Sequence, residues 1–116
     1  MTPFVKDGHA YATDGSIVVR TKSDDANSPP DRNVPNTAAL PWPGSSTAAR
    51  YQPPMSLTVT PQDFPLDAHY YIAQAYVGLL KRHKINHICK SAINGFYPVY
   101  FQLGKDIEGL IATSQR

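Results

Sequence analysis

Two Asp-Gly pairs, Asp7-Gly8 and Asp14-Gly15, punctuate the stretch FVKDGHAYATDGSIVVRTK from Phe4 to Lys22. They separate short runs rich in β-branched and aromatic residues, so the segment reads as a β-meander of three strands. A two-residue type I′ turn needs φ > 0 at both central positions, which Gly takes freely and Asp tolerates better than most residues. With Asp14 and Gly15 as the turn, Thr13 faces Ser16, Ala12 faces Ile17, Tyr11 faces Val18 and Ala10 faces Val19. A one-residue slip would move every side chain to the other face, so the turn chemistry decides which residues reach a core.

Beyond the meander, Ser23 to Pro54 holds seven prolines among many Ser, Asn, Ala and Asp residues, and reads as a long irregular loop over 23–54. Within it, the apolar cluster Ala38 to Trp42 is the part most suited to docking, with Trp42 either a lid on the chain's own core or an anchor for a partner. Met55 to Thr60 alternates apolar and polar residues as a half-buried strand does, and Pro61 ends it. Leu66, Tyr70, Ala73, Val77 and Leu80 then recur at helical spacing, which predicts a helix from Leu66 to Arg82 capped by Asp67 or Asp63. Gly78 inside it implies either close approach of another backbone or simple tolerance. Ile85 to Ile93 and Tyr97 to Leu103 flank an Asn94-Gly95 hairpin signal, with Pro98 demanding a sheet edge or a bulge. Gly104-Lys105-Asp106 turns the chain into Ile107 to Thr113, and Ser114 to Arg116 is expected to fray. The sum is an α+β fold: one antiparallel sheet against a single main helix, in one domain over residues 1–116.

Chemistry-bearing clusters are sparse. A single cysteine, Cys89, forms no internal disulfide and fits a reducing, cytoplasmic setting. No apolar run approaches the roughly 20 residues a membrane span needs. His83, His87 and Cys89 form an H-x3-H-x-C run that lacks a fourth zinc ligand, and Cys89 reads more economically as a small buried residue than as a nucleophile. Asp7 and Asp14 are absorbed by turns, and Gly44-Ser45-Ser46-Thr47 lacks the lysine of a phosphate loop. No catalysis, metal or cofactor is expected. Residues 67–116 carry six Lys/Arg against three acids, and Lys81, Arg82, Lys84 and Lys90 cluster. They are candidate nucleic-acid contacts, or cations gathered at a helix C-terminus where the macrodipole favours them. Seven tyrosines exceed what a small core buries comfortably with every hydroxyl satisfied. Tyr71, off the helical stripe, and Tyr100, opposite the Tyr97-Val99-Phe101 face, join Trp42 as candidate partner-binding residues, with amphipathic edge packing as the alternative.

The run Tyr11-Ala12-Thr13-Asp14-Gly15, followed by Ile17-Val18-Val19, resembles the ATDG hairpin of bacterial DNA sliding-clamp subdomains, those of the DNA polymerase III beta subunit. The order that follows is similar too: a connection, the strand Ser56 to Thr60 ending at Pro61, a helix, and closing hairpins through Val99-Tyr100-Phe101 and Gly109-Leu110-Ile111. The resemblance implies the fold of half a clamp subdomain, as in small clamp-like phage proteins. It does not imply processivity, which needs several subdomains in a ring. The expectation is a small, non-catalytic, phage- or prophage-encoded interaction protein that binds a component of replication or defence machinery. An anti-CRISPR-like inhibitor of an effector complex and a direct nucleic-acid binder are the alternatives. A protein partner of host or phage is expected, with pairing of copies through open sheet edges also available, and no membrane partner.

Overall fold

The computed structural model describes residues 4–6, 8–14, 16–26, 40–43, 50–57, 63–66, 69–92 and 97–115. In chain order they form β1 (Phe4–Lys6), β2 (His9–Thr13), β3 (Ile17–Lys22), β4 (Met55–Ser56), β5 (Phe64–Pro65), β6 (Tyr70–Ile72), α1 (Gln74–Arg82), β7 (His87–Ile88), β8 (Val99–Leu103), β9 (Ile107–Ile111) and β10 (Ser114–Gln115). The architecture is mixed α+β, and its main sheet has five antiparallel strands in the order β1-β2-β3-β9-β8. The N-terminal meander and the C-terminal hairpin therefore share one sheet, joined where Ile17 to Thr21 of β3 pair with Ile111 to Ile107 of β9. Two small sheets, β10-β6-β5 and β4-β7, complete the strands. No helix of the described residues is long and apolar enough to cross a membrane.

The first hairpin closes at Lys6 and His9 with Gly8 at φ 83°, the left-handed backbone that an Asp-Gly turn calls for. The second does not close as expected. Thr13 faces Val18, Ala12 faces Val19 and Tyr11 faces Arg20, a shift of two residues. Asp14 avoids positive φ and instead uses its side chain: Oδ1 accepts from the Ser16 and Ile17 amides at 2.9 and 3.0 Å. The Asp14 amide and the Thr13 hydroxyl both donate to the Ile17 carbonyl. A side-chain turn of this kind spans more residues than a type I′ turn, and because the shift is even, every side chain keeps its expected face.

Both faces of the main sheet are covered. Against one lie Ile17, Val99, Phe101 and Ile111, packed with Val77 and Leu80 of α1 and with Leu57, Ile72 and Ile88. Against the other, Phe4, Tyr11, Val18, Tyr100 and Leu110 gather round Trp42, which comes from the Pro-rich segment. That segment is held by the Tyr51 hydroxyl donating to the Pro41 carbonyl at 2.7 Å and by a bridge between Tyr51 and Ser91. Its residues 27–39 and 44–49 lie outside the described set, as do 58–60 of the strand expected from Met55 and the Asn94-Gly95 turn.

The helix is shorter than its periodicity implies. Tyr70-Tyr71-Ile72, read as its first half, is the strand β6, paired with β5 on one side and β10 on the other. Aromatic and β-branched residues favour this pleated, half-buried role, and the pairing recruits Ser114 and Gln115, which were expected to fray. The N-cap is Ala73, which supplies no side-chain bond; Asp63, expected to cap a helix starting at Leu66, instead accepts from the Gln74 amide at 2.8 Å across the β5-β6 hairpin. Asp67 lies outside the described residues. At the other end the Lys84 amide donates to Lys81 O and the Ile85 amide to Leu80 O, with Lys84 at φ 62°. This is a Schellman closure with lysine where glycine is usual, sealed by the contact of buried Ile85 and Leu80 in one core cluster. The strand expected over Ile85 to Ile93 is reduced, among its described residues, to β7 and two isolated bridges, Cys89 with Tyr100 and Ser91 with Tyr51, since this closure occupies its beginning. Pro98 directly precedes the edge strand β8, as its missing donor requires.

Glycine substitutions separate tolerance from necessity. A methyl at Gly78 meets nothing within 4 Å, so Gly78→Ala raises stability by up to about 1 kcal/mol, read from the urea midpoint. A methyl at Gly109 would sit 2.7 Å from Phe101 Cε1 and 2.9 Å from the Val18 carbonyl oxygen, so Gly109→Ala lowers it by about 1–3 kcal/mol in the same assay. Lys84→Gly relieves the left-handed lysine and stabilises by up to about 1 kcal/mol, seen as a higher melting temperature.

Candidate functional site

The alternation of β2, β3, β9 and β8 writes rows across the sheet. On the Trp42 side one row runs Phe4, Tyr11, Arg20, Glu108, Gln102 and the next runs Lys6, His9, Lys22. On the helix side a row runs Val5, Ala10, Thr21, Ile107, Leu103, followed by Ala12, Val19, Gly109, Phe101. Helix α1 is too short to span the second side. It leaves Ala10, Ala12, Val19 and Ile107 only partly buried.

Three concavities border the sheet near this end, two on the helix side and one on the Trp42 side. Between α1 and the sheet lies an apolar cleft of about 250 Å³ lined by residues including Ala12, Val19, Leu79, Phe101 and Leu103. A second, of about 190 Å³, continues over Ala10, Ala12, Val19 and Thr21. The third, of about 410 Å³, is a polar groove at the strand ends lined by residues including His9, Arg20, Lys22, Gln102, Lys105 and Glu108. Ile107 borders all three, but its side chain belongs to the helix-side row whereas His9, Arg20, Lys22, Gln102 and Glu108 belong to the Trp42-side rows, so the apolar trough and the polar groove lie on opposite faces of the strand ends. The groove's outer wall is the turn 104–106, where Gly104 takes φ 65° and the Thr21 hydroxyl donates to the Asp106 carbonyl at 2.8 Å.

The groove floor is a fixed network. Arg20 Nε donates to Glu108 Oε1 at 2.6 Å, the one ion pair among the described residues, and the guanidinium stands 4.0 Å over the Trp42 ring. Glu108 Oε2 accepts from the Tyr100 hydroxyl at 2.7 Å, and that hydroxyl accepts from Gln102 Nε2 at 3.0 Å. Arg20 and Glu108 cancel each other's charge. The charge left at the groove comes from Lys22 and Lys105 against Asp106, with Lys6 beside His9 in the adjoining row.

Two expected partner-binding residues belong instead to this protein's own interior. Trp42 is 3 % exposed and Tyr100 8 %, because the Pro-rich segment brings Trp42 onto the second sheet face as a lid on the chain's own core. Tyr71 is half-buried in the central strand of β10-β6-β5. The basic cluster is not one patch: Lys81 Nζ donates to Asn86 Oδ1 at 2.9 Å and Lys90 Nζ to the Leu66 carbonyl at 3.4 Å, while Arg82 and Lys84 are exposed. His83 and His87 are exposed, and among the described residues no group of three His, Cys, Asp or Glu side chains could hold a metal ion. Burial pushes the Cys89 thiol upward, the reverse of what an activated nucleophile needs. The trough residues Ala10, Ala12, Val19 and Ile107 were missed. Their signal was the small alanines alternating along β2, where a covered strand would carry larger side chains.

Comparison with family models, with curated proteins and with solved structures finds no match to this chain.

Two tyrosines give the interior a pH signature. Burial, with the neighbouring Cys89 and Tyr100, pushes Tyr51 up to about 12, and burial with the bond to Glu108 pushes Tyr100 up to about 12. Both stay neutral in the fold while the unfolded chain ionises from its ordinary value of 10.0, so their contribution is complete below pH 10 and is lost as pH rises towards 12. Denaturation midpoints measured from pH 9 to 12 fall in the wild type, and fall less in Tyr51→Phe.

Proposed function

We propose that this chain is a small, non-catalytic interaction protein that docks a protein partner in the trough centred on Ile107. The observation that carries the reading is the apolar half-face of the main sheet, Ala10, Ala12, Val19 and Ile107, left beside α1 with exposed His83 at its helix border. An apolar floor with a polar rim is the anatomy of a protein-binding surface. The partner is a component of replication or defence machinery in the cytoplasm, and the chain is a phage- or prophage-encoded protein built like half a sliding-clamp subdomain. Support for that part comes from the Tyr11 to Val19 ribbon and the element order. Inhibition of a defence effector, in the manner of an anti-CRISPR protein, would use the same surface on a different target.

Direct nucleic-acid binding has less support, since two of its four lysine and arginine candidates, Lys81 and Lys90, are already hydrogen-bonded within the chain. Affinity capture from host lysate, with and without nuclease, separates the readings. A discrete protein retained after nuclease and lost from an Ala10→Arg bait supports docking in the trough; capture that disappears with nuclease and weakens steeply with salt points to nucleic acid.

A further inference from the structure

We infer that an extended peptide adds to the free edge of β8, pairing its main chain with Gln102 in the fork where β7 parts from the main sheet. This surface is separate from the trough and does not depend on it. Its basis is a hydrogen-bonding rung that two facing segments are aimed to make and do not make.

The directions follow from the bonds already made, because an antiparallel strand sends the main-chain groups of alternate residues to the same side. On the edge strand β8, the Tyr100 amide donates to the Cys89 carbonyl at 2.9 Å and the Cys89 amide to the Tyr100 carbonyl at 2.8 Å. Tyr100 therefore faces outward, and so does Gln102. On the other arm, the Asn86 carbonyl accepts from the Leu57 amide at 2.8 Å and Ile88 pairs with Met55, so these two residues face β4 while His87, like Cys89, faces β8. The next rung after Cys89 and Tyr100 would join His87 to Gln102. Among the described residues it is not made: β7 and β8 belong to different sheets, and Cys89 with Tyr100 is an isolated bridge. A concavity of about 300 Å³ opens there instead, lined by residues including Lys84, His87, Cys89, Tyr100 and Gln102. His87 and Gln102 are both exposed. Main-chain donors and acceptors presented at an open edge are what an extended chain completes. Charge adds a preference. Lys84 and His87 line the concavity and no Asp or Glu does. On the turn beyond Gly104, Lys105 and Asp106 offset each other; Glu108 is spent on Arg20 and Tyr100, and Lys81, bonded to neutral Asn86, adds to the positive side. A carboxylate on the guest thus gains beside Lys84.

The test is selection of a random peptide library against the full chain, then fluorescence polarisation of the enriched peptides with the wild type, Gln102→Pro, Gln102→Ala, Lys84→Asn and Ala10→Arg, each checked by its melting curve. Proline removes the outward main-chain donor, which an edge strand can spare, whereas Gln102→Ala keeps that donor and loses only the side chain. Asparagine removes the charge at position 84 and tolerates its left-handed backbone. Peptides paired at the edge keep wild-type affinity in Gln102→Ala and Ala10→Arg, lose about tenfold or more in Gln102→Pro, and lose a few-fold in Lys84→Asn. In the wild type the Gln102 amide exchanges with solvent faster than the Tyr100 amide, and a bound peptide slows it; this readout needs no variant and decides the matter even where Gln102→Pro does not fold. Unchanged affinity in a folded Gln102→Pro, an unchanged Gln102 amide on binding, or no enrichment overturns the edge site. Enriched peptides lost from Ala10→Arg alone overturn it as well and leave the trough reading intact. No loss in Lys84→Asn overturns the acidic preference and leaves the strand pairing standing.

Discussion

The antiparallel pairing of β3 with β9 ties the first strands of the chain to the last, and the rest of the architecture depends on it. Without it the N-terminal meander and the C-terminal hairpin would be two separate ribbons, each with too little apolar surface to be stable in water. With it they make one surface on which two apolar clusters assemble back to back. The pairing is also tight in a literal sense. Phe101 packs over Gly109 between the strands, where no larger residue has room.

A sheet covered on both faces asks for two kinds of cover, and the chain supplies them differently. One face takes α1 and the small sheets; the other takes the Trp42 indole, held by the Arg20 guanidinium and by the Tyr11 ring at 6.5 Å, with Leu40 and Tyr51 beside it. The polar network of Arg20, Glu108, Tyr100 and Gln102 then borders this second cluster, so charged groups in the middle of a sheet are satisfied by one another. The helix covers less area than the face beneath it, and the difference is the trough. Incomplete cover on one side is thus the geometric origin of the surface assigned here to a partner.

Much of the main sheet was legible in the sequence. Asp-Gly pairs and two-residue alternation are local signals, and they placed β1, β2, β3, β8 and β9 and the faces of their side chains. The register error at Asp14 came from treating the residue only through its backbone, when its carboxylate could bridge Ser16 and Ile17 instead. The start of α1 was misread because Leu66, Tyr70 and Ala73 satisfy a helical period while Tyr70 to Ile72 also suit a strand, and pairing with Phe64 and Pro65 on one side and the distant Ser114 and Gln115 on the other decides between them. The candidate site was hardly legible. Ala10 and Ala12 are informative only once α1 is known to stop short, and Trp42 and Tyr100 looked available because nothing local shows that they meet. Long-range coverage is the property a one-dimensional pattern does not encode.

The first turn of α1 has a consequence for how the molecule assembles. A helix of nine residues is below the roughly 12–15 that hold together alone in water, and here the acceptor for its first amide, Asp63, arrives from across a hairpin. Its backbone order is borrowed from strands that must close beforehand. Amide exchange in α1 should therefore be governed by opening of the β5-β6 ribbon, making the helix a late and dependent passenger of the folding reaction and not its nucleus.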